Sequence, residues 1–290
     1  MTILINHQTR ALIQGITGNV GLFQSQIMQE YGTQIVAGVT PGKGGSQVHG
    51  IPVYDYVAEA AAKHEIDASL SFVPGRYALE AAIEVIDAGI PFLVLAAEGV
   101  PARDMITILR FAKARGTQIL GPDTAGLIAP GKCKLGVHPN RMFTEGPIGV
   151  LSKSGALSYE VSKNLTEAGI GQSTVIGIGG GPYWGMTQST LLQLFNADPE
   201  TKAVVMLGEV GGTMEIDAAE VIKHQMSKPV IALVVGRAAP EGAQMGHAGA
   251  IIEGKENTAA LKIERLKEAG AIIATRPSEI PALVRNQGVL

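Results

Sequence analysis

The sequence is poor in cysteine and in aromatic residues. Cys133 is the single cysteine among 290 residues, and phenylalanine, tryptophan and tyrosine together make up 4%. One thiol excludes an internal disulfide and a metal site built from several cysteines, and it favours a reducing compartment. Glycine, in contrast, occurs 37 times. Few aromatics and many glycines are typical of an α/β protein with tight turns between strands and helices.

The sequence also lacks a long apolar run and a strong charge of either sign. No stretch of about 18 apolar residues occurs, and residues 1–15 lack the ordered regions of a signal peptide. We therefore predict a cytoplasmic protein without a membrane segment. A formal net charge of −3 argues against nucleic-acid binding as the main role. With 46% hydrophobic residues, the chain is long enough for two domains with separate cores.

The first part of the chain predicts a dinucleotide-binding type of domain. A short apolar strand at 11–14 leads into the glycine-rich turn 15–21 and a helix, and such a turn exposes backbone amides to phosphate. Many strand-to-helix turns are glycine-rich for packing alone, so the turn is equally consistent with a structural role. After the next strand, 34–40, Lys43 stands where an NAD enzyme has an acidic residue. This favours coenzyme A or NADP over NAD, with a solvated loop lysine as the alternative.

Three further strands and their loops complete this half. The strands are predicted at 68–73, 91–96 and 118–120, and the loops after them cover 74–77, 96–100 and 121–126. Because parallel strands end at the same edge of a sheet, we expect these loops and the glycine-rich turn to meet at one crevice.

A crossing between two domains is predicted at 127–147, which holds several prolines and glycines and no long periodic segment. The predicted domains are 1–126 and 148–290. In the second domain, Ser154 and Gly155 lie at the start of a helix predicted from about 156 to 168. Serine is a favoured N-cap, and a helix amino terminus attracts anions, so this pair is a candidate phosphate site. Capping alone would also explain the serine.

One histidine has small neighbours. His247 lies in the stretch 245–251, MGHAGAI, whose glycines allow a ligand to approach closely. An imidazole with a pKa of about 6.5 is largely neutral, and hence nucleophilic, at neutral pH. A buried strand predicted at 204–207 ends next to Glu209, and another at 229–235 leads into the histidine loop. We expect Glu209 to bind one ring nitrogen and leave the other nucleophilic. The alternatives are an exposed acid and a histidine satisfied within its turn.

These stretches together resemble the succinyl-CoA synthetase α subunits, a family of nucleoside-diphosphate-forming acyl-CoA ligases. The matching segments follow the family's order over nearly the whole chain: QGITG at 14–18, GVTPGKGG at 38–45, SKSGALSYE at 152–160, GIGGG at 177–181, GEVGG at 208–212 and MGHAGAI at 245–251. The resemblance implies an N-terminal Rossmann-like CoA-binding domain followed by a flavodoxin-like doubly wound ligase domain that carries a phosphohistidine loop.

The resemblance also implies chemistry and partners. A β subunit with an ATP-grasp site would hold ATP or GTP with Mg²⁺, and the nucleotide would phosphorylate His247. The phosphoryl group would pass to a small carboxylic acid, and the CoA thiol would then displace phosphate from the acyl phosphate. By the same resemblance, Tyr159 occupies a substrate-linked position, and no metal site is predicted in this chain. The CoA-binding positions would be Thr17, Gly18, Asn19, Val20, Lys43, Ala96, Ala97 and Glu98.

Three departures from the family pattern concern the acid substrate. The chain has GPDTAG at 121–126 for the usual GPNCPG, GGGPYWG at 179–185 where an aspartate is usual, and Lys153 in place of an arginine. These changes fall at the expected acyl pocket and leave the phosphoryl machinery intact, so they bear on the substrate and not on the reaction class. The resemblance favours succinate, with malate, citrate or another small organic acid as alternatives. The sequence leaves open whether an αβ pair or two such pairs assemble.

Two other functional classes compete with the ligase. A nicotinamide-dependent oxidoreductase is disfavoured by Lys43, since an acidic residue is expected there. A non-catalytic CoA-binding regulatory module would have no use for Ser154, Glu209 and His247 together.

Overall fold

Two compact units make up the computed structural model, which describes residues 3–239, 247 and 257–289. The first unit comprises Leu4–His138 and Tyr183–Gly185. The second unit comprises Ile3, Pro139–Pro182 and the described residues from Met186 onward. Within the described ranges, no helix is both long enough and apolar enough to cross a membrane.

The first unit is built around a mostly parallel sheet. Its strands are β1 Arg10–Gln14, β2 Gln34–Val39, β3 Gln47–Val48, β4 Ile51–Tyr54, β5 Ala68–Ser71, β6 Phe92–Leu95 and β7 Gln118–Leu120. They lie in the order β3-β4-β2-β1-β5-β6-β7, and only the β3–β4 pair is antiparallel. Counted in chain order, the six parallel strands follow the 3-2-1-4-5-6 order of a Rossmann sheet. The predicted Rossmann-like topology is confirmed.

Helices and a hairpin complete this unit. The helices are α1 Asn19–Glu30, α2 Val57–Ala61, α3 Ala78–Asp87 and α4 Ala102–Arg115, and the hairpin strands are β8 Gly126–Ala129 and β9 Cys133–Gly136. One face of the sheet buries Leu12 and Leu93 against Val85 of α3 and Ile108 of α4. All four side chains are fully buried, so hydrophobic burial fixes the helices against the sheet.

The second unit is a doubly wound parallel sheet. Its strands are β10 Glu145–Ser152, β11 Gln172–Gly177, β12 Ala203–Gly208, β13 Val230–Val234 and β14 Ile272–Ile273. Its helices are α5 Gly155–Glu167, α6 Gln188–Ala197, α7 Met214–Gln225, α8 Ala259–Glu268 and α9 Ile280–Arg285. The order β14-β13-β12-β10-β11 is the 2-1-3-4-5 order of flavodoxin-like sheets, as predicted. Every residue of β11, β12 and β13 is buried, which requires cover on both faces.

The two units divide between His138 and Pro139, within the segment 127–147 that the sequence predicts as the crossing. That segment is not irregular throughout, because it contains β8, β9 and the start of β10. Each hairpin strand is only four residues long, which is too short to show a periodic pattern. In addition, Tyr183–Gly185 groups with the first unit, so neither unit is one continuous piece of chain.

The hairpin buries a lysine, which predicts a pH dependence. Lys134 on β9 is fully buried, and its ammonium donates to the carbonyl oxygen of His138 at 3.0 Å. Burial lowers the pKa of Lys134 from 10.5 to about 8. The unfolded chain therefore binds more protons between pH 8 and 10.5, and the free energy of unfolding should rise across this window by up to about 3 kcal/mol.

Urea unfolding at several pH values, with Lys134→Met beside the wild type, measures this dependence. The wild type should gain stability relative to Lys134→Met as the pH rises from 8 to 10.5. Parallel stability curves for the two proteins would show that Lys134 keeps an ordinary pKa in the folded state.

Candidate functional site

The turn between β1 and α1 is shaped for a phosphate-containing ligand. Gly15 adopts a positive φ of 74°, and a Cβ at Gly21 would lie 2.2 Å from the carbonyl oxygen of Gly15. Glycine at position 21 therefore lets α1 begin directly against the turn. Gly18 is the N-cap of α1 and supplies no side-chain cap, and the first helical turn carries no acidic residue. The amides there belong to the groups that a helix leaves without an internal partner, which suits an anion.

A cavity of about 620 Å³ opens beside this turn. Four predicted CoA-binding residues line it, namely Thr17, Gly18, Asn19 and Val20. Residues that the sequence analysis did not assign to CoA also line it, namely Pro41, Tyr77, Glu80 and Glu84. Tyr77 lies in a loop already expected at the crevice and Pro41 in the matching segment 38–45, whereas nothing in the sequence singled out the two glutamates of α3.

The other predicted CoA positions lie near the same edge of the sheet but do not line this cavity. Lys43 is exposed in the turn after β2, and its amide donates to the carbonyl oxygen of Thr40 at 3.1 Å. Ala96 donates its amide to Ser71 at 3.2 Å, and the carbonyl oxygen of Ala97 accepts from Asp123 at 2.9 Å. The loops after β5, β6 and β7 are thus hydrogen-bonded to one another, as the parallel order predicts.

The loop around Glu98 is held by close backbone packing. A Cβ at Gly75 would lie 2.5 Å from the carbonyl oxygen of Glu98, so only glycine permits this approach. In the neighbouring GPDTAG loop, Asp123 has a positive φ of 55°, a conformation that aspartate and asparagine tolerate better than most residues. The hydroxyl of Thr124 accepts from the amide of Gly126 at 2.8 Å. The departure from the family sequence therefore keeps a well-ordered turn.

In the second unit, Ser154 and Gly155 lie at the start of α5, as predicted. Ser154 is the N-cap, and its hydroxyl accepts from the amide of Leu157 at 3.4 Å. The hydroxyl of Ser152 accepts from the amide of Ser154 at 3.0 Å and donates to its carbonyl oxygen at 2.6 Å. The cap residue is therefore fixed on both sides. The amides of Gly155 and Ala156 come earlier in the helix than Leu157, so they have no intrahelical acceptor.

Glu209 and His247 are in direct contact. The Nδ1 atom of His247 lies 2.7 Å from Oε2 of Glu209, at the end of β12. The glutamate side chain is 9% exposed and the histidine side chain 29% exposed. A carboxylate at this distance accepts a hydrogen bond from Nδ1–H, and in neutral imidazole the other nitrogen, Nε2, then carries the lone pair. The other residues of the MGHAGAI stretch lie outside the described residues.

Two lysines and a second glutamate contact Glu209 through its carboxylate or its backbone. The ammonium of Lys153 lies 3.2 Å from Oε1 of Glu209 and 3.7 Å from Oε1 of Glu215. Lys262 of α8 donates to the carbonyl oxygens of Glu209 and Gly211, at 2.8 and 2.6 Å, and to the carboxylate of Glu215. The amide of Glu209 donates to Oε1 of Glu215 at 3.1 Å. We call Lys153, Glu209, Glu215 and Lys262 the buried ionic cluster.

The charges of the buried ionic cluster shift its pKa values. Burial alone would raise the pKa of Glu209, but the hydrogen bond to His247 and the charge of Lys153 outweigh it, so the pKa lies below its ordinary value. Burial lowers the pKa of Lys262, although Glu215 opposes this change. Sequence analysis anticipated the buried ionic cluster only in part. It noted Lys153 as a departure from arginine, but it did not single out Glu215 or Lys262.

Close packing requires glycine at position 208, the first residue of the GEVGG stretch. A Cβ at Gly208 would lie 2.7 Å from Cγ of Glu215, so a larger residue would displace that glutamate.

Tyr159, the predicted substrate-linked residue, lies on α5 and packs edge-on against Phe143 with 6.3 Å between ring centroids. Burial raises the pKa of the Tyr159 phenol. Among the described residues, no group of three or more potential ligands is arranged to hold a metal ion.

Comparison with known families identifies the class of protein. The family described as CoA binding domain matches residues 6–99, and the family described as CoA-ligase matches residues 151–272. The first range covers β1 to β6 of the Rossmann-like sheet, and the second covers β11, β12 and β13 of the flavodoxin-like sheet. The chain is thus a ligase with a CoA-binding domain.

Full-length relatives define the family more closely. The ADP-forming succinate–CoA ligase subunit alpha 1 of Archaeoglobus fulgidus is 51% identical, covering 99% of this chain and 98% of that protein. The ADP-forming succinate–CoA ligase subunit alpha of Methanothermobacter thermautotrophicus is 49% identical, covering 98% and 97%. The chain belongs to the family of succinate–CoA ligase α subunits.

A solved structure shares the whole fold. ATP citrate lyase from Methanothrix soehngenii, in complex with citrate and coenzyme A, matches with a TM-score of 0.89 at 24% identity. The match covers 99% of this chain, which spans 52% of that longer chain. At this identity the likeness shows the fold alone.

Proposed function

We propose that this chain, together with a β subunit, joins succinate to coenzyme A and couples the reaction to nucleoside triphosphate hydrolysis. The observation that carries the proposal is the 2.7 Å contact between Nδ1 of His247 and Glu209. It leaves Nε2 as the nucleophilic nitrogen of a partly exposed ring. The names of the relatives support succinate as the acid, and the family supports a partner subunit. An ATP-grasp site on that subunit, holding ATP or GTP with Mg²⁺, is part of the proposal.

Coenzyme A is proposed to bind the first unit. The cavity of about 620 Å³ beside α1 has a size typical of small-molecule sites, and the amides at Gly18 suit a phosphate. Lys43, exposed after β2, is proposed to bind another phosphate of the same molecule. The loop of Ala96, Ala97 and Glu98 is proposed to contact the rest of the cofactor.

The residues of the second unit are proposed to carry the phosphoryl group. The lone pair of Nε2 of His247 forms a bond to the γ-phosphorus of the nucleotide, and the bridging P–O bond breaks to release the diphosphate. Glu209 holds Nδ1–H and stabilises the positive charge that develops on the ring. The amides at Gly155, capped by Ser154, are proposed to receive the phosphoryl oxygens. A succinate carboxylate oxygen then bonds to phosphorus as the P–N bond to Nε2 breaks, and the CoA thiolate forms a C–S bond at the carbonyl carbon as inorganic phosphate leaves.

Isotope labelling of the wild-type complex tests this proposal. Incubating the αβ complex with γ-³²P-labelled ATP or GTP should label His247 at Nε2, since Nδ1 is bonded to Glu209. Peptide mapping identifies the residue, and ³¹P NMR of the phosphoprotein distinguishes the two ring nitrogens. Label at Nδ1 would contradict the assigned tautomer, and the absence of any label on His247 would contradict the phosphohistidine route.

A panel of acids tests the substrate. Succinate, malate and citrate should be compared by CoA-dependent release of nucleoside diphosphate from the complex, and succinate should give the highest kcat/KM. Tyr159, half-buried beside Phe143, is proposed to act at the substrate-linked position. A cytoplasmic location and the assembly of one or two αβ pairs remain predictions.

A further inference from the structure

The two oxygens of Glu209 have different partners. Oε2 lies 2.7 Å from Nδ1 of His247, whereas Oε1 lies 3.2 Å from the ammonium of Lys153. The carboxylate therefore lies between an imidazole and the Lys153 ammonium. Lys153 is 1% exposed and Glu209 is 9% exposed, so water screens this interaction poorly. A change in the charge at position 153 is thus transmitted to the carboxylate that binds the histidine.

The backbone places Lys153 next to two candidate parts of the site, the amino terminus of α5 and Glu209. It follows β10 directly and precedes Ser154, the N-cap of α5. Its amide donates to the carbonyl oxygen of Leu207 in β12 at 3.4 Å. The residue is therefore fixed to the two strands whose ends carry the helix amino terminus and Glu209. A flexible surface lysine would not have this constraint.

The charges of the buried ionic cluster balance when His247 is neutral. Lys153 and Lys262 each contribute one positive charge, and Glu209 and Glu215 each contribute one negative charge. Of these four residues, Lys153 contacts the Glu209 carboxylate directly, as His247 does, whereas Lys262 and Glu215 pair with each other and bind the backbone of Glu209. A buried carboxylate with no ammonium beside it would favour the imidazolium form of the ring. An imidazolium has no lone pair on Nε2 and cannot attack phosphorus.

We propose that Lys153 is a positioning residue that keeps His247 neutral at physiological pH, with Nδ1 protonated and the lone pair on Nε2. Its ammonium holds Glu209 ionised and offsets part of the carboxylate's pull on a second ring proton. This inference rests on the proposed function, because it assigns a role in loading the phosphohistidine. It adds that the residue before the helix N-cap sets the pH range in which His247 reacts.

The pH profile of His247 phosphorylation in the αβ complex tests the proposal. Lys153→Met should move the acid limb about one pH unit upward, so that the rate at pH 6 relative to pH 8 falls about three- to sixfold further than in the wild type. Lys153→Arg keeps the charge and should restore the wild-type profile. Lys163→Met is a matched control, since Lys163 lies on the solvent side of α5 and pairs with Glu167 at 3.6 Å.

A purely structural role predicts a different result. Loss of folding stability alone would lower the phosphorylation rate by the same factor at every pH, and would leave the acid limb in place. A second variant provides an independent measurement: Glu209→Gln alone should move the acid limb downward, because the carboxylate that draws a second proton to the ring is gone. An acid limb that stays in place in Glu209→Gln would overturn the proposed role of the Glu209 carboxylate.

Direct titration keeps the proposal testable if Lys153→Met does not fold. Imidazole ¹⁵N NMR of the wild-type full chain should show His247 neutral and protonated on Nδ1 at pH 7. An imidazolium signal at pH 7, or a proton on Nε2, would overturn the proposal. If wild-type His247 takes no label at any pH, the proposed function fails. If it is labelled and Lys153→Met has the wild-type profile, only the role of Lys153 fails.

Discussion

His247→Asn is expected to abolish ligase activity, with a loss of at least about a thousandfold in kcat. Asparagine preserves much of the polarity and size of the ring but provides no nucleophilic nitrogen. The labelled phosphoryl group should be absent from the mutant complex. CoA should still bind, because the cavity beside α1 lies in the first unit and His247 lies in the second. Steady-state CoA-dependent diphosphate release, together with calorimetric measurement of CoA binding, separates the two effects.

A matched control distinguishes this loss from a general effect of removing a histidine. His224 lies on α7, is 60% exposed and pairs with Glu220 at 3.5 Å. His224→Asn should keep wild-type labelling and activity. Normal activity in His247→Asn would contradict the phosphohistidine mechanism and would favour the regulatory alternative. Loss of both activity and CoA binding would point to a folding defect.

Lys262→Met is expected to destabilise the chain by about 3 to 5 kcal/mol. Lys262 is fully buried and donates to Glu215 and to the carbonyl oxygens of Glu209 and Gly211. Methionine fills similar volume but leaves the Glu215 carboxylate with less compensation and removes the donor from two carbonyl groups. The cost arises mainly from the buried charge that remains, rather than from lost packing.

Urea unfolding of Lys262→Met beside Lys163→Met measures this cost. Lys163 is 55% exposed, so its replacement should change the free energy of unfolding by no more than about 0.5 kcal/mol. A double variant, Lys262→Met with Glu215→Gln, should recover part of the lost stability because it removes the orphaned charge. Equal stability of Lys262→Met and the wild type would show that the buried ionic cluster is not ionised as the geometry implies.

Much of the fold follows from local patterns in the sequence. The strand predicted at 118–120 is β7, and the helix predicted at about 156 to 168 is α5 at Gly155–Glu167. Apolar runs bounded by glycine and proline mark such elements well, because buried strands of a parallel sheet are hydrophobic on both faces. The contact of Glu209 with His247 was also expected, since both follow strands of one parallel sheet.

β11 shows where pattern analysis fails. Gln172, Ser173 and Thr174 open this fully buried strand and interrupt its apolar run. Two of these residues find partners that offset their burial: the side-chain amide of Gln172 donates to the carbonyl oxygen of Ser162 at 3.2 Å, and the Ser173 hydroxyl shares a hydrogen bond with Thr201 at 2.7 Å. Those partners are distant in the sequence or lie on another element, so a local window does not reveal them.

The buried ionic cluster was beyond sequence analysis for a similar reason. Lys262 and Glu215 lie on different helices, 47 residues apart in the chain. In the sequence alone, each of the two residues resembles an ordinary solvent-exposed helix position. The helix of Lys262 carries four other charged residues, Glu264, Arg265, Lys267 and Glu268. Only the tertiary arrangement shows that one lysine of this helix is turned inward and neutralised.

The grouping of Tyr183–Gly185 with the first unit bears on how this protein could have evolved. The amide of Gly185 donates to the carbonyl oxygen of Gly121 at 3.0 Å, and a Cβ at Gly185 would lie 2.1 Å from the carbonyl oxygen of Ile119. A gene fragment ending near His138 would therefore encode an incomplete module whose last parallel strand loses this covering. Recombination at that boundary would not transplant the first unit intact, because residues 183–185 would be left behind.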